Sequence, residues 1–252
     1  MRIAFITDLH FGRLTIGAEA ALLADLRAQK PDLILIGGDI TQRGLSSQFR
    51  DCQKFLAALP AEWVCIIGNH DVPAWNLIQR FCDPYGPYQK FVTQDLNPQW
   101  SNEYLAVQGL NSARRMMRDW AWEQGAIDDQ QIGTTKSFFA QHPDKTKILM
   151  VHHPITHPPL APTRLLAENY QRALTEFAEA GADIICTGHL HLASVWDGKE
   201  LVSGRQKPLW LLQGGTAMCD RLRGECNSYW IIEVTSGNLN FILRNLGADK
   251  FD

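Results

Sequence analysis

No two of the six cysteines in this chain are spaced as C-x-x-C, and Cys65 and Cys186 lie inside apolar runs. That excludes a zinc-thiolate site and argues for free buried thiols in a reducing compartment over a disulfide framework. Long apolar runs are missing as well. Leu33–Ile36 is typical of those present, far short of the ~20 residues a spanning helix needs. The opening Met1–Ile6 meets polar Thr7-Asp8 at once, which leaves no room for a signal peptide, so a cytoplasmic location is expected. Excess charge is absent too. Lysine and arginine number 24 against 27 aspartates and glutamates, a net charge of −3, so no basic field recruits nucleic acid or an anionic membrane. No stable nucleic-acid complex and no transmembrane segment are therefore expected. Repeats, linkers and low-complexity tracts are also lacking. With 252 residues, 45% of them apolar, the chain reads as one globular domain over 1–252.

What recurs is a short apolar run that ends in a polar, glycine-marked cluster. Arg2–Ile6 leads into Thr7-Asp8-Leu9-His10, Asp32–Ile36 into Gly37-Gly38-Asp39, and Trp63–Ile67 into Gly68-Asn69-His70-Asp71. Lys147–Val151 leads into His152-His153-Pro154, and Ala182–Cys186 into Gly188-His189-Leu190-His191. Such runs, rich in Ile and Val and without alternation, predict strands buried on both faces. Helices are predicted between them over 14–29, over 46–59 with Phe49, Cys52, Phe55, Leu56 and Leu59 on one stripe, and over 168–180 before Gly181. The tail predicts strands over 209–215, 228–234 and 238–244, with Ser236-Gly237-Asn238 as the turn of a hairpin. The class is α/β, with two stacked sheets and helices outside. Residues 72–127 carry no strand-end cluster and read as an irregular excursion bearing Trp75, Tyr85, Tyr88, Trp100, Tyr104, Trp120 and Trp122.

The chemistry lies at the strand ends, where open α/β sheets build their sites. Six of the eight histidines fall in these clusters, together with Asp8, Asp39 and Asn69. Each cluster alone has a plain reading: a chance Asp-x-His pair, a Gly-Asp turn, an Asn in a left-handed turn. Five of them in one register do not. Carboxylates, imidazoles and an amide oxygen without thiolates suit Mn²⁺, Fe or Zn²⁺. Asp8, His10, Asp39, Asn69, His152, His189 and His191 are too many donors for one ion and suit two divalent metal ions that share a carboxylate. Two such ions against two aspartates keep about two positive charges, which attracts phosphate and clamps in-line displacement at phosphorus.

As a set, Asp8-x-His10, Gly38-Asp39, Gly68-Asn69-His70-Asp71, His152-His153-Pro154 and Gly188-His189-x-His191 resemble the calcineurin-like metallophosphoesterases over roughly residues 1–235. Asp8-Leu9-His10, the His152-His153-Pro154 form and Arg223-Gly224 with Asn227-Ser228-Tyr229 are most similar to the class III cyclic-nucleotide phosphodiesterase branch. The resemblance implies a four-layer αββα sandwich of two mixed sheets. It also implies Asp8, His10 and His191 on a first metal, Asn69, His152 and His189 on a second, and Asp39 between them. His70 would contact the phosphate and assist the leaving oxygen, with Asp71 orienting it. One departure is Gly38-Asp39-Ile40-Thr41-Gln42-Arg43-Gly44, where Gln42 stands at the second aspartate of the similar protein-phosphatase motif.

Four further residues are candidate substrate contacts. Arg43 is either a phosphate contact or a solvated loop residue. His153 follows a ligand and reads as its neighbour rather than a ligand. Trp75 either rims the pocket or packs into the core. Arg223, with Arg221, follows a late strand. The patch of Arg114, Arg115 and Arg118 reads as a solvated helix face. The expected function is hydrolysis of a small phosphodiester, with a cyclic nucleotide first, by attack of metal-activated hydroxide. The alternatives are a nucleotide-lipid pyrophosphatase of the lipid A pathway at the membrane surface, and a non-catalytic scaffold on the same fold.

Overall fold

Unalternating Ile, Leu and Val runs settle into parallel sheets because both faces of such strands must be covered. In the computed structural model, residues 1–116, 123–161, 163–235, 238–248 and 250–252 are described. Their elements follow in chain order. β1 (Arg2–Ile6), α1 (Ala18–Gln29), β2 (Leu33–Ile36), α2 (Ser46–Ala58) and β3 (Trp63–Cys65) come first. α3 (Leu77–Cys82), α4 (Gly86–Phe91), β4 (Gln99–Ser101), β5 (Leu105–Leu110), α5 (Asp129–Ala140) and β6 (Thr146–Val151) come next. α6 (Tyr170–Glu179), β7 (Ile184–Thr187), β8 (Ser194–Asp197), β9 (Trp210–Gln213), β10 (Ser228–Thr235) and β11 (Asn238–Asn245) complete them.

The first sheet has the order β11-β10-β1-β2-β3, and the second β4-β5-β6-β7-β9-β8. In the first sheet β1, β2 and β3 run parallel and β10 and β11 add antiparallel pairings at one edge; in the second β5, β6, β7 and β9 run parallel between antiparallel β4 and β8. Side chains sort by parity along each strand. On β1, Ile3 and Phe5 join Val107, Ile148, Met150 and Leu212 between the sheets, while Ala4 and Ile6 face the helices α1 and α2. On β6, Leu149 and Val151 turn outward onto Phe138, Phe139 and Phe177 of α5 and α6. The result is helix, sheet, sheet, helix. Each fully buried side chain of this kind contributes roughly 1.5–3 kcal/mol.

Several expectations are corrected here. Residues 72–127 are not one irregular excursion, because β5 is a wholly buried strand of the second sheet and β4 pairs with it. The stretch before β4 lies outside the sheets, and it is tied down. The Tyr88 hydroxyl donates to the Cys65 carbonyl at 3.0 Å, Tyr85 donates to Ala113, and Arg80 donates to the carbonyls of Pro73, Arg114 and Arg115. The first helix starts at Ala18 after a left-handed Gly17, which leaves Ile16 in solvent. α5 carries no stripe strong enough to predict it, yet Asp128 and Gln131 form a reciprocal cap at its start. Thr235 pairs with Asn238 in the tail hairpin. Met117, Arg118, Trp120, Trp122, Ser236 and Gly237 lie outside the described residues. All six cysteines are free, although Cys82 and Cys226 are exposed rather than buried.

One polar contact ties the first helix to the tail. Asp25 of α1 accepts from the Tyr229 hydroxyl at 2.6 Å and from Arg244 at 2.8 and 3.0 Å. Burial pushes its carboxyl up, but Arg244 and Tyr229 outweigh that and hold it below the usual carboxylate range. Asp25→Asn is expected to cost about 1.5–3 kcal/mol of unfolding free energy at pH 7. Because the folded carboxyl is depressed, this stability is present above pH ~4 and fades as pH falls through the folded value. Urea titrations of both proteins at pH 7 and pH 3 check this: the gap between them narrows in acid.

Candidate metal centre

The carboxyl ends of β1, β2, β3, β6 and β7 reach one edge, where each strand breaks into a tight loop. Five residues there are non-glycine yet left-handed: Asp8 (φ 54°), His10 (51°), Asp39 (50°), His189 (72°) and His191 (57°). Each such residue costs on the order of 1 kcal/mol and persists only where its surroundings dictate it. Those surroundings are cross-loop hydrogen bonds, Asp8 N–H to Gly38 O, His10 N–H to Asp39 O and Gly188 N–H to His152 O, all 3.0 Å. Two glycines allow the loops to close. A Cβ at Gly68 would lie 2.1 Å from Asp39 Oδ1, and one at Gly188 2.3 Å from Thr7 Oγ1.

The side chains converge in overlapping groups, two of which meet at Asp8. Ring nitrogens of His10 and His191 and a carboxylate oxygen of Asp8 lie within 4.8 Å of one another, and so do donors of Asp8, Asp39 and His152. Asp39 Oδ2 stands 3.8 Å from His10 Nε2 and 3.2 Å from His152 Nε2, between the groups. His189 Nδ1 is 3.0 Å from Asn69 Oδ1. Carbonyls behind the rings set the tautomers. His152 Nδ1–H donates to Gly37 O at 2.8 Å and His191 Nδ1–H to Arg221 O at 2.9 Å, so both present Nε2 to the interior.

These residues fit divalent cations. His10 Nε2 and His191 Nε2 face each other at 3.1 Å, and His153 Nε2 is buried without a hydrogen-bond partner. Buried polar atoms left that way are costly unless something coordinates them. The metal-free electrostatics show the same strain. Burial pushes the Asp39 carboxyl up, but His152, His70 and His10 overcome it and hold Asp39 ionised far below the carboxylate range. His152, beside that anion, is raised to about 9 against its own burial, while burial and His152 press His189 down to about 3.

The structure brings all seven sequence-derived donors to this edge, and His70 with them. His70 N–H donates to Asp39 Oδ1 at 2.8 Å, and its ring stands edge-on to His10 at 4.8 Å between centroids. Asp71 does not orient that ring. Its carboxylate accepts from the N–H groups of Ile40, Thr41 and Gly68 and from the Thr41 hydroxyl, locking two loops together. The Gln42 carbonyl takes the His70 Nδ1–H instead, at 2.8 Å. Burial and nearby Asp39 lift the Asp71 carboxyl to about 7.

A cavity of about 200 Å³ opens over Asp39, Asn69, His70, His189 and His191, and Arg223 lines it. Arg43 and Trp75 do not. The Arg43 backbone N–H donates to Gln48 Oε1 on α2, and its guanidinium lies 6.0 Å from the ring of Trp75, itself 76% exposed. His153 is no cavity contact either. It is buried, hydrogen-bonded through Nδ1 to Ser112 Oγ at 2.7 Å, and forms a group with His152 and His189. Sequence reasoning missed the residues that hold the ligands. Thr7 Oγ1 donates to Asp8 Oδ2 at 2.7 Å, and Thr216 Oγ1 to the Asp8 carbonyl at 2.7 Å. Thr7 adjoins Asp8, whereas nothing in the sequence flags Thr216.

Residues 1–193 match the calcineurin-like phosphoesterase family model, and the chain belongs to that family. A probable cyclic nucleotide phosphodiesterase of Synechococcus sp. is 26% identical over 165 residues, 61% of this chain and 58% of that protein. A probable glycerophosphodiester phosphodiesterase of Arcobacter nitrofigilis is 24% identical over 170 residues, 66% of this chain and 58% of that protein. The chain thus matches little more than half the length of these curated relatives. A dimetal phosphatase from Danio rerio shares the fold, with a TM-score of 0.68 over 97% of this chain and 96% of that one at 11% identity.

Asp39 is expected to hold both ions. Metal analysis of manganese-loaded protein should give two ions per chain, and Asp39→Ala should give one or none. Gly68→Ala, whose methyl would occupy the space of Asp39 Oδ1, should lower the occupancy with the far-UV circular dichroism unchanged.

Proposed function

We propose that this chain is a phosphodiesterase with two divalent metal ions, held by Asp8, His10 and His191 on one side and Asn69, His152 and His189 on the other, with Asp39 shared. The observation that carries this reading is the placement of Asp39 Oδ2 within 4 Å of ring nitrogens from both groups. Mn²⁺, Fe or Zn²⁺ suits the donor set, and a pair of such ions supplies Lewis acidity and a nucleophile drawn from water near neutral pH.

The chain's own residues do the rest. His70 Nδ1–H is fixed on the Gln42 carbonyl, which leaves Nε2 to exchange a proton with the leaving oxygen. Asp71 keeps the Asn69–His70 turn against the Asp39 loop, so ligand and proton donor move as one unit. A cyclic nucleotide is the first substrate to try, given the named activity of the Synechococcus relative, and a glycerophosphodiester the second. A nucleotide-lipid pyrophosphatase would need an apolar acyl groove, whereas the described lining of the cavity is polar apart from Leu165 and Leu190. A scaffold would not need to keep every ligand.

Two outcomes are expected. His70→Ala should retain both metals and lower kcat by roughly 10²–10⁴, the scale of a lost general acid; loss of metal instead would overturn its role. The manganese-loaded enzyme should show a higher kcat/KM on bis-aryl phosphate than on mono-aryl phosphate. Faster monoester turnover would count against a phosphodiesterase.

A further inference from the structure

Three arginines stand on the wall of the cavity over the metal centre. Arg164, Arg221 and Arg223 line it together with the donors and His70. Among the described residues, none of the three guanidiniums has a carboxylate within ion-pairing distance or a side-chain hydrogen bond. They are close enough to repel: burial pushes the Arg223 guanidinium down, and Arg164 and Arg221 push it further. Glu123, on the same wall, offsets one charge of the three.

The loop that carries two of them is pinned to the metal ligands. The Arg221 carbonyl accepts the His191 Nδ1–H at 2.9 Å, and Glu225 Oε2 accepts the Ala193 N–H at 2.8 Å. Arg13 pairs with Asp220 at the start of the loop. Arg223 itself is left-handed, at φ 42°, in front of Gly224 at φ 90°. It shares that unfavourable backbone with five of the metal-centre residues, and a non-glycine residue is held there only by its surroundings. The loop is therefore built, not merely solvated, at the point where it presents cations to the cavity.

The charge balance then separates substrates. Two divalent ions against Asp8, Asp39 and the hydroxide drawn from water would keep about one positive charge, which the single negative charge of a phosphodiester already balances, so three arginines against Glu123 leave about two positive charges over. Arginine recognises phosphate through paired, charge-assisted N–H donors. We infer that the substrate bears a second phosphate group beyond the ester that is cleaved, and that Arg164, Arg221 and Arg223 bind it. This rests on the phosphodiesterase reading and, within it, favours a diester with two phosphates over the singly charged cyclic nucleotide and glycerophosphodiester. The second phosphate is joined either directly, as a pyrophosphate, or elsewhere on the molecule.

Calorimetry on the manganese-loaded protein tests it with thymidine 5′-phosphate, thymidine 5′-diphosphate and thymidine 3′,5′-bisphosphate. One of the two doubly phosphorylated ligands should bind about tenfold tighter than the monophosphate or better, and which one does so tells how the second phosphate is joined. In Arg221→Gln and in the double variant Arg164→Gln/Arg223→Gln, with metal content equal to wild type, that ratio of dissociation constants should fall toward one. The inference is overturned if neither ligand shows the advantage or if the advantage survives in the variants. Turnover of bis-aryl phosphate, measured alongside, separates the two readings. Turnover without the binding advantage sinks this inference alone, whereas the advantage without turnover of any diester sinks the phosphodiesterase reading.

Discussion

Asp8 and Asp39 are carboxylates buried at a sheet edge, and much of the molecule is arranged around the cost of keeping them ionised there. A buried charge is tolerable only when it is paired and hydrogen-bonded. Here the partners are imidazoles and backbone N–H groups rather than lysine or arginine. His152 and His191 each stand 3.2 Å from a carboxylate oxygen, and His189 N–H donates to Asp8. Imidazole can pair with a carboxylate when protonated and can donate to a metal ion when neutral.

Such an arrangement cannot be built from one loop. Its donors come from five strand ends, several of them on left-handed backbone, and each strained loop is anchored by a strand that has both faces covered. The sheets supply the required rigidity. Ile3, Phe5, Ile148 and Met150 fill the space between them, so the strand ends that bear Asp8 and His152 are held a fixed distance apart. The parallel arrangement matters in the same way, because it sends the carboxyl ends of β1, β2 and β3 to one edge.

The strands and their ends were legible for this reason. A strand buried on both faces writes itself as an unbroken apolar run, and β1 spans the residues its pattern predicts. The donors were legible because histidine is scarce and its clusters recur at the same place after each run. What was hidden depends on partners remote in sequence. Leu105–Leu110 is a buried strand containing Gln108 and Gly109, and its polar residues mask it until Gln108 is seen to donate to the carbonyl of Gly109 at 2.7 Å. The role of Asp71 was misread because its neighbour His70 is the obvious partner, whereas most of its bonds go to Ile40 and Thr41, about thirty positions away.

Arg164 marks the limit of such reading. It lies between the His152-His153-Pro154 cluster and the helix predicted over 168–180, has no recurring neighbour and belongs to no cluster, yet the fold sets it on the same cavity wall as Arg221 and Arg223. Metal ligands must sit on rigid strand ends, so they leave a pattern tied to secondary structure. Residues that choose the substrate need only reach the cavity, and loops of any origin can carry them there. The chemistry of such a site is therefore written in periodic positions that a sequence reader can align with strands. Its specificity is written in positions that acquire meaning only after the two sheets have stacked.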